Sequence, residues 1–238
     1  MDLTRLQDHL AHLMSSLPVQ QKGILEARLQ GLSSVFPFSE YEYMLMFLLD
    51  KETITFEQYE QLRSTYVSSN RFLDLYGLAP RVFGEIWGQE HIRDLDKRFA
   101  KPGKVLDPTY DGEYDVWIDG VKVEIKASRA IHTKVRGSLV SKALEKGSSK
   151  PFWMNFQQLK LDVADVFIFI GVWVNEITYW VLTNEEVRTN PYLSHQHRGG
   201  IEYQIGITHK NIREFDGFIV APAKLADVIF LKADKGKG

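Results

Sequence analysis

The spacing of hydrophobic residues divides the chain into a helical first part and a mixed second part. Leucines recur at helical spacing from Leu3 to Leu17, and Pro18 then suits the first turn of a second helix. Two further helices are predicted to begin at capping-box pairs, Ser39 with Glu42 and Thr55 with Gln58. A short helix at 70–76 and a longer one from Pro80 follow. We therefore expect helices up to about residue 96.

Strand patterns begin after residue 96. The run VADVFIFIGVWV is continuously apolar, which is typical of a central strand buried on both faces. A turn at Asn175-Glu176 leads into ITYWVL, and IEYQIGIT and GFIVA are further predicted strands, with a helix over HKNIREF between them. We expect a helix to begin at Gln157-Gln158, and NEEVRTNPYLSHQHRGG to be a polar loop. Strands interleaved with helices predict an α/β fold.

The stretch YDVWIDGVKVEIKAS predicts a two-residue β-hairpin at Asp119-Gly120, the strongest local signal for such a turn. This turn sets the register, so that Ile118 pairs with Val121 and Asp115 lies opposite Glu124. Side chains alternate between the two faces of a strand. One face then carries only apolar residues: Val116, Ile118, Val121, Val123, Ile125 and Ala127. The other carries Asp115, Trp117, Lys122, Glu124 and Lys126.

Two carboxylates directly opposite each other destabilise a hairpin unless a cation lies between them. Lys126, on the same face as Glu124, is one candidate cation. A divalent ion that prefers oxygen ligands is the other. On this geometry alone, Asp115→Asn is expected to relieve the repulsion and to maintain or raise the stability of the metal-free protein.

Asp115, the short hairpin and Glu124-Ile125-Lys126 resemble the catalytic signature of the PD-(D/E)xK nuclease superfamily, which includes most type II restriction endonucleases. The resemblance covers roughly residues 80 to 180. It implies that Asp115 and Glu124 bind Mg²⁺, for which Mn²⁺ can substitute, with the main-chain carbonyl of Ile125 as a further ligand. Lys126 would assist the attacking water and offset charge on the phosphate.

The superfamily often adds a Glu from a preceding helix, and Gly84-Glu85 is similar to its frequent Gly-Glu pair. Glu90 is the competing residue for that place. The sequence departs from the signature at Tyr114, where the superfamily has Pro. Asp-Pro occurs in reversed order at 107–108, so Asp107 and Asp111 stay open as alternatives to Asp115.

The composition of the chain is compatible with Mg²⁺-dependent cleavage of DNA. A net charge of -2 gives no global attraction to nucleic acid, so DNA binding rests on local basic stretches. No cysteine is present, which excludes thiolate ligands and nucleophiles. No apolar run approaches the length of a membrane span, and we expect a cytoplasmic protein. The predicted DNA-binding residues are Arg129, Lys134, Arg136, Lys142, Arg188, Asn190, Gln196 and Arg198.

The sequence thus predicts an α/β restriction-endonuclease-like core with a mixed central sheet of four or five strands flanked by helices. A helical N-terminal subdomain is expected over 1–78, and the catalytic core with its DNA-recognition loops over 79–238. The expected activity is Mg²⁺-dependent, site-specific cleavage of double-stranded DNA by a homodimer. Two alternatives stay open: a structure-specific repair or junction-resolving nuclease, and a non-cleaving DNA-binding protein with a vestigial core.

Overall fold

The structure is a computed structural model that describes residues 3–30, 37–197 and 200–235. The chain forms two compact units. The first comprises Met1–Gly77, Ile131–Lys150 and Trp173–Glu176, and the second comprises Leu78–Ala130, Pro151–Val172 and Ile177–Gly238. No helix in the described ranges combines the length and the apolar character needed to cross a membrane.

The α-helices are α1 (Leu3–Ser15), α2 (Val19–Gln30), α3 (Pro37–Asp50), α4 (Phe56–Ser69), α5 (Gly88–Leu95), α6 (Asn184–Arg188) and α7 (Leu225–Lys235). A π-helical segment, Val82–Trp87, runs directly into α5, and 3₁₀ helices occur at Leu73–Gly77, Val140–Lys142, Ile212–Phe218 and Pro222–Lys224. The strands are β1 (Val116–Ile118), β2 (Val121–Arg129), β3 (Ile131–His132), β4 (Phe152–Leu159), β5 (Val166–Val172), β6 (Ile177–Thr183), β7 (Leu193–His197) and β8 (Ile201–Thr208).

The first unit contains the N-terminal helices α1 to α4. The predicted capping box at the start of α4 is confirmed, since Thr55 and Gln58 exchange side-chain to backbone hydrogen bonds. The other predicted capping box is wrong as a helix start, because α3 begins at Pro37 and Ser39 lies inside it. Helices α3 and α4 pack through stacked rings of Tyr41 and Tyr66, with centroids 4.0 Å apart.

The second unit contains a mixed four-stranded sheet with the order β1-β2-β5-β6. Strand β2 is antiparallel to β1 and parallel to β5, whereas β5 and β6 are antiparallel. Strand β5 lies inside the sheet and every one of its residues is buried, as its continuous apolar run predicted. The hairpin register is also confirmed: Ile118 pairs with Val121 and Val116 with Val123.

A second sheet contains β4, β8 and β7 as antiparallel neighbours in that order. The buried face of β4 packs on the first sheet, where the rings of Phe156 and Phe169 stack at 4.6 Å. Close packing at this point depends on Gly171: a Cβ atom there would lie 2.5 Å from the Trp180 ring and 3.0 Å from the Met154 sulfur. The α/β class is therefore confirmed, and the sheets are two rather than one.

Several local predictions were wrong because strand pairing depends on distant residues. Gln157 and Gln158 lie in β4 and not at a helix start, and Gln158 has a φ of 57° beside a register shift between Gln157 and Leu159. The predicted loop at 184–200 contains α6 and β7. The predicted strand GFIVA does not form; Ile219 makes only an isolated bridge to Trp180. Helix α7 was not predicted.

Candidate metal centre

The predicted acidic pair lies at the open end of the β1–β2 hairpin. The backbone N–H of Asp115 donates to the Val123 carbonyl at 3.1 Å, and Val123 is already the partner of Val116, so the predicted register does not continue to a pair of Asp115 with Glu124. The Asp115 side chain then takes the place of a partner strand, because its Oδ2 accepts from the backbone N–H of Ile125 at 2.8 Å. Asp115 is thus fixed beside Glu124.

Glu124 is wholly buried, with 0 % relative exposure. Its pairing partner on β5 is Phe167, which is also fully buried. Burial, followed by the negative charge of Asp115, raises the pKa of Glu124. Neither carboxylate oxygen accepts a hydrogen bond from the described residues. A buried carboxylate is costly unless cations or hydrogen-bond donors lie beside it.

Two lysines approach Glu124 from different strands. Lys126 Nζ lies 2.7 Å from Oε1, although without the angles of a hydrogen bond, and Lys160 Nζ lies 3.6 Å from Oε2. The sequence indicated Lys126 but not Lys160. Lys160 follows β4, and its position depends on the register shift at Gln158, which no local pattern of residues predicts.

The backbone of Ile125 offers one more oxygen to the site. In a strand, the N–H and C=O of one residue point to the same side. The Ile125 N–H points to Asp115, so its carbonyl also lies on the side of β1, beyond the last paired residue, Val116. This direction agrees with the ligand role that the resemblance implies for Ile125.

Gln89, which the sequence did not indicate, contacts the site from α5: its Nε2 donates to Asp115 Oδ1 at 2.8 Å. Glu85, the expected residue, is exposed and instead pairs with Arg81 at 2.8 Å. Glu90 is also exposed. In a regular α-helix Glu85 and Gln89 would share a face, but the π-helical segment Val82–Trp87 changes the angle between them. The sequence pattern predicted one regular helix over this segment.

Both oxygens of Asp115 thus accept hydrogen bonds, one from Gln89 and one from the Ile125 backbone. An asparagine at 115 would place its own NH₂ group against one of these two donors, which would then lack an acceptor. We therefore expect Asp115→Asn to lose stability, in contrast to the gain that carboxylate repulsion alone suggests.

The alternative acid Asp107 has a structural role. Its carboxylate accepts from the Thr109 hydroxyl at 2.6 Å and from the Tyr114 hydroxyl at 3.0 Å, and it lies 3.4 Å from Lys122 Nζ. The hydrogen bond from Thr109 is the main cause that lowers the pKa of Asp107 to about 2. Asp111 is exposed. These contacts favour Asp115 as the metal-binding acid.

The residues present fit a divalent ion with mixed ligands. No cluster of three His, Cys, Asp or Glu side chains suited to a metal occurs in the described ranges. Asp115, Glu124 and the Ile125 carbonyl supply two carboxylates and one backbone oxygen. Mg²⁺ is commonly held by only one or two carboxylates, with water and substrate phosphate completing its shell. The observation that supports this fit is the buried carboxylate of Glu124 next to the negative charge of Asp115.

The predicted DNA contacts lie in several places. Arg129 is 8 % exposed; its Nη1 donates to the Leu78 carbonyl at 2.9 Å, and its guanidinium lies 4.1 Å from the Phe83 ring centre. This burial removes Arg129 from the proposed DNA contacts. Lys134, Arg136 and Lys142 belong to the first unit; the first two are exposed, and Lys142 is half-buried in a 3₁₀ helix.

The remaining predicted contacts lie in the second unit. Arg188 ends α6, where it pairs with Asp162 at 2.9 Å. Asn190 accepts from a backbone N–H in the following turn. Gln196 lies in β7, and Arg198 lies outside the described residues. Of this group, Gln196 is the one placed on a sheet.

The chemistry of the site depends on close opposite charges. Asp115 and Glu124 can bind a hard cation, while Lys126 and Lys160 can contact a water molecule or an anionic substrate. Lys126 and Lys160 are 19 % and 40 % exposed, so both amines reach solvent although Glu124 does not.

A scan against protein-family models, a search of curated proteins and a search of solved structures each found no match for this chain.

Proposed function

We propose that this protein is a Mg²⁺-dependent endonuclease of the PD-(D/E)xK type that hydrolyses phosphodiester bonds of double-stranded DNA at a specific short sequence, as type II restriction enzymes do. One observation carries the proposal. The buried carboxylate of Glu124 lies beside Asp115, and two lysine amines adjoin it.

Asp115, Glu124 and the Ile125 carbonyl would hold Mg²⁺, and Mn²⁺ would substitute because all three ligands are oxygens. The bound ion would stabilise the charge on the entering and leaving oxygens of the phosphate. Gln89 keeps Asp115 in place, since it donates to Oδ1 and leaves the second carboxylate oxygen toward the hairpin. Gln89 therefore acts as a positioning residue.

The two lysines take separate tasks in hydrolysis. Lys126, the closer and less exposed amine, would orient the attacking water, and its positive charge would favour release of that water's proton to solvent. Lys160 offsets negative charge on the phosphate. Water attacks phosphorus in line, a new P–O bond forms, the bond to the leaving oxygen breaks, and that oxygen takes up a proton from solvent. No covalent intermediate with the protein is needed.

The proposed substrate implies a symmetric assembly. A short palindromic DNA sequence presents the same face twice, and a protein that cuts both strands matches it as a homodimer. Each copy would contribute one site of the kind described. The Lys134–Lys142 region and Arg188 are the remaining proposed phosphate contacts.

Incubation of purified protein with plasmid and Mg²⁺ tests the proposal, followed by sequencing of the fragment ends. We expect discrete fragments from wild type and from Lys97→Ala, which changes an exposed lysine outside the site. Lys126→Ala should lose cleavage and keep DNA binding. A wild-type protein that cuts no DNA with Mg²⁺ or Mn²⁺ would refute the proposal. Cleavage restricted to branched DNA would favour a junction-resolving nuclease.

A further inference from the structure

The second sheet has one buried face and one polar, accessible face. Along β4, Phe152, Met154 and Phe156 are buried, whereas the alternate residues are exposed or half-buried. The strand pairing extends this second face across β8 and β7. It carries Trp153, Asn155 and Gln157 from β4, Glu202, Gln204, Gly206 and Thr208 from β8, and Ser194 and Gln196 from β7.

Amide side chains at the centre of this face hold one another in fixed orientations. Asn155 Nδ2 donates to Gln204 Oε1 at 3.0 Å, and Gln157 Nε2 donates to the same oxygen at 3.4 Å. These two hydrogen bonds use neither the NH₂ group of Gln204 nor the side-chain oxygens of Asn155 and Gln157. Such pre-oriented amides bind a ligand with less loss of rotamer entropy than mobile ones.

A groove of about 460 Å³ crosses the same face. Gly206 lies opposite Asn155 in the strand pairing and carries no side chain, which keeps the middle of the groove open. Trp153 is 43 % exposed at one side, and Lys210 is exposed at one end. The exposed Trp153 ring, the neighbouring amides and the Lys210 amine together form a surface suited to bind a polar, anionic ligand.

Strand β4 connects this face to the candidate metal centre. Lys160 Nζ, which approaches Glu124, follows Gln157 by three residues, a distance of roughly 10 Å along a strand. A ligand that lies across Asn155 and Gln157 is thus within a few base pairs of the metal centre. The polar face and the metal centre belong to the same unit.

We propose that the exposed face of β4, β8 and β7 reads base edges in the major groove of the DNA that the enzyme cuts, with Asn155, Gln157 and Gln204 as the specificity-determining residues. The inference rests on the proposed nuclease function. Gln196, which was predicted to lie in a polar loop, belongs to this DNA-recognition sheet.

The chemistry of the face sets its preference among bases. Asn and Gln can donate to N7 and accept from N6 of adenine in a two-bond arrangement that no other base edge matches. The hydrogen bonds on this face leave the amide oxygens of Asn155 and Gln157 available for it, whereas Gln204, whose Oε1 already accepts from both, offers its NH₂ group as a donor to N7. Glu202, which accepts from Gln158 and Gln196, adds a carboxylate suited to the N4 amino group of cytosine. The major groove of B-form DNA admits a β-ribbon, whereas that of duplex RNA is too narrow. The target is therefore duplex DNA with an adenine-containing site.

Selection from a pool of randomised DNA duplexes tests the inference without cleavage, when Ca²⁺ replaces Mg²⁺. Wild type should enrich one sequence that contains adenine, and duplex RNA should not compete. Gln204→Ala should lower discrimination at one or two base pairs by about 10- to 100-fold. Gln204→Glu, which keeps the side-chain shape, should shift the preference at that position from adenine toward cytosine. Gln20→Ala, an exposed amide on α2, serves as the control.

The inference is overturned if wild type enriches no sequence, or if folded Gln204→Ala and Asn155→Ala proteins enrich the same sequence with the same discrimination as wild type. Thermal unfolding of each variant establishes that it is folded. Cleavage with Mg²⁺ is measured in parallel. Selection that depends on Gln204 in a protein that never cuts supports the reading face and refutes the nuclease, whereas cutting with unchanged selection refutes only the reading face.

Discussion

Glutamine at position 124 isolates the cost of the buried charge, since Glu124→Gln keeps the shape of the side chain and removes its ionisation. The pKa of Glu124 is raised in the folded protein, first by burial and then by Asp115. For a group with a raised pKa, its contribution to stability is complete below the pKa of the unfolded chain and is lost as pH rises through the folded value. Wild type therefore carries a penalty at pH 8 that the variant lacks.

The size of this penalty follows from two opposing effects. Replacement of a whole buried ion pair by apolar residues stabilises some proteins by about 1 to 4 kcal/mol, whereas removal of one partner costs about 3 to 5 kcal/mol when the other charge stays buried. Here Lys126 and Lys160 lose a partner, but they keep 19 % and 40 % exposure, so water replaces part of that interaction. We expect a gain of about 1 to 2 kcal/mol at pH 8. At about 2 to 4 °C per kcal/mol, the midpoint of thermal unfolding rises by about 2 to 8 °C.

The assay is thermal unfolding in EDTA between pH 5 and pH 8, repeated with Mg²⁺. The advantage of Glu124→Gln should shrink as pH falls toward the ordinary glutamate value of 4.5. Saturating Mg²⁺ should stabilise wild type, by about 2.7 kcal/mol at 100 times Kd, and leave the variant unchanged. A variant less stable than wild type at pH 8, or an advantage that grows at lower pH, would refute the reasoning.

Lys126→Ala should reduce the rate of DNA cleavage by about 10²- to 10⁴-fold and keep DNA binding in Ca²⁺ within a few-fold of wild type. Lys160→Ala should reduce the rate less, because its amine lies farther from the Glu124 carboxylate. Single-turnover kinetics compare the two variants. Asp115→Asn should lose about 1 to 3 kcal/mol in urea unfolding, because one of two hydrogen-bond donors loses its acceptor; unchanged stability would contradict the described contacts. Gly171→Ala should lower stability by about 1 to 3 kcal/mol, since the added methyl group overlaps the indole ring of Trp180. Gly217→Ala is the control, because its added methyl group meets nothing within 4 Å and should have little effect. Equal midpoints of thermal unfolding for the two variants would contradict the packing between the sheets.

The local parts of the site were predictable because their geometry depends on short-range rules. Asp119-Gly120 fixes a two-residue turn, and the turn alone places Val116 opposite Val123. The buried strand β5 was predictable from its continuous apolar run. Both features need no knowledge of the rest of the chain.

Contacts between distant segments were not predictable in this way. Gln158 adopts a left-handed conformation only because β4 pairs with β8 in a shifted register, and that shift determines where Lys160 lies. Similarly, the sequence FGEIWGQEH favours a regular helix, and packing of Gly88 against Ala127 and Ile125 occurs next to a π segment. Gln89, not Glu85, then contacts Asp115 of the candidate metal centre.

The sequence by itself determined the two strands, the turn between them and the shared side of Glu124 and Lys126, since alternation along a strand is a property of the backbone. Only the tertiary structure decided that Glu124 is buried without hydrogen-bond donors and that a second amine lies beside it. The electrostatic character of a carboxylate depends on what surrounds it, and those surroundings come from β5 and β4, which are more than 25 residues away along the chain.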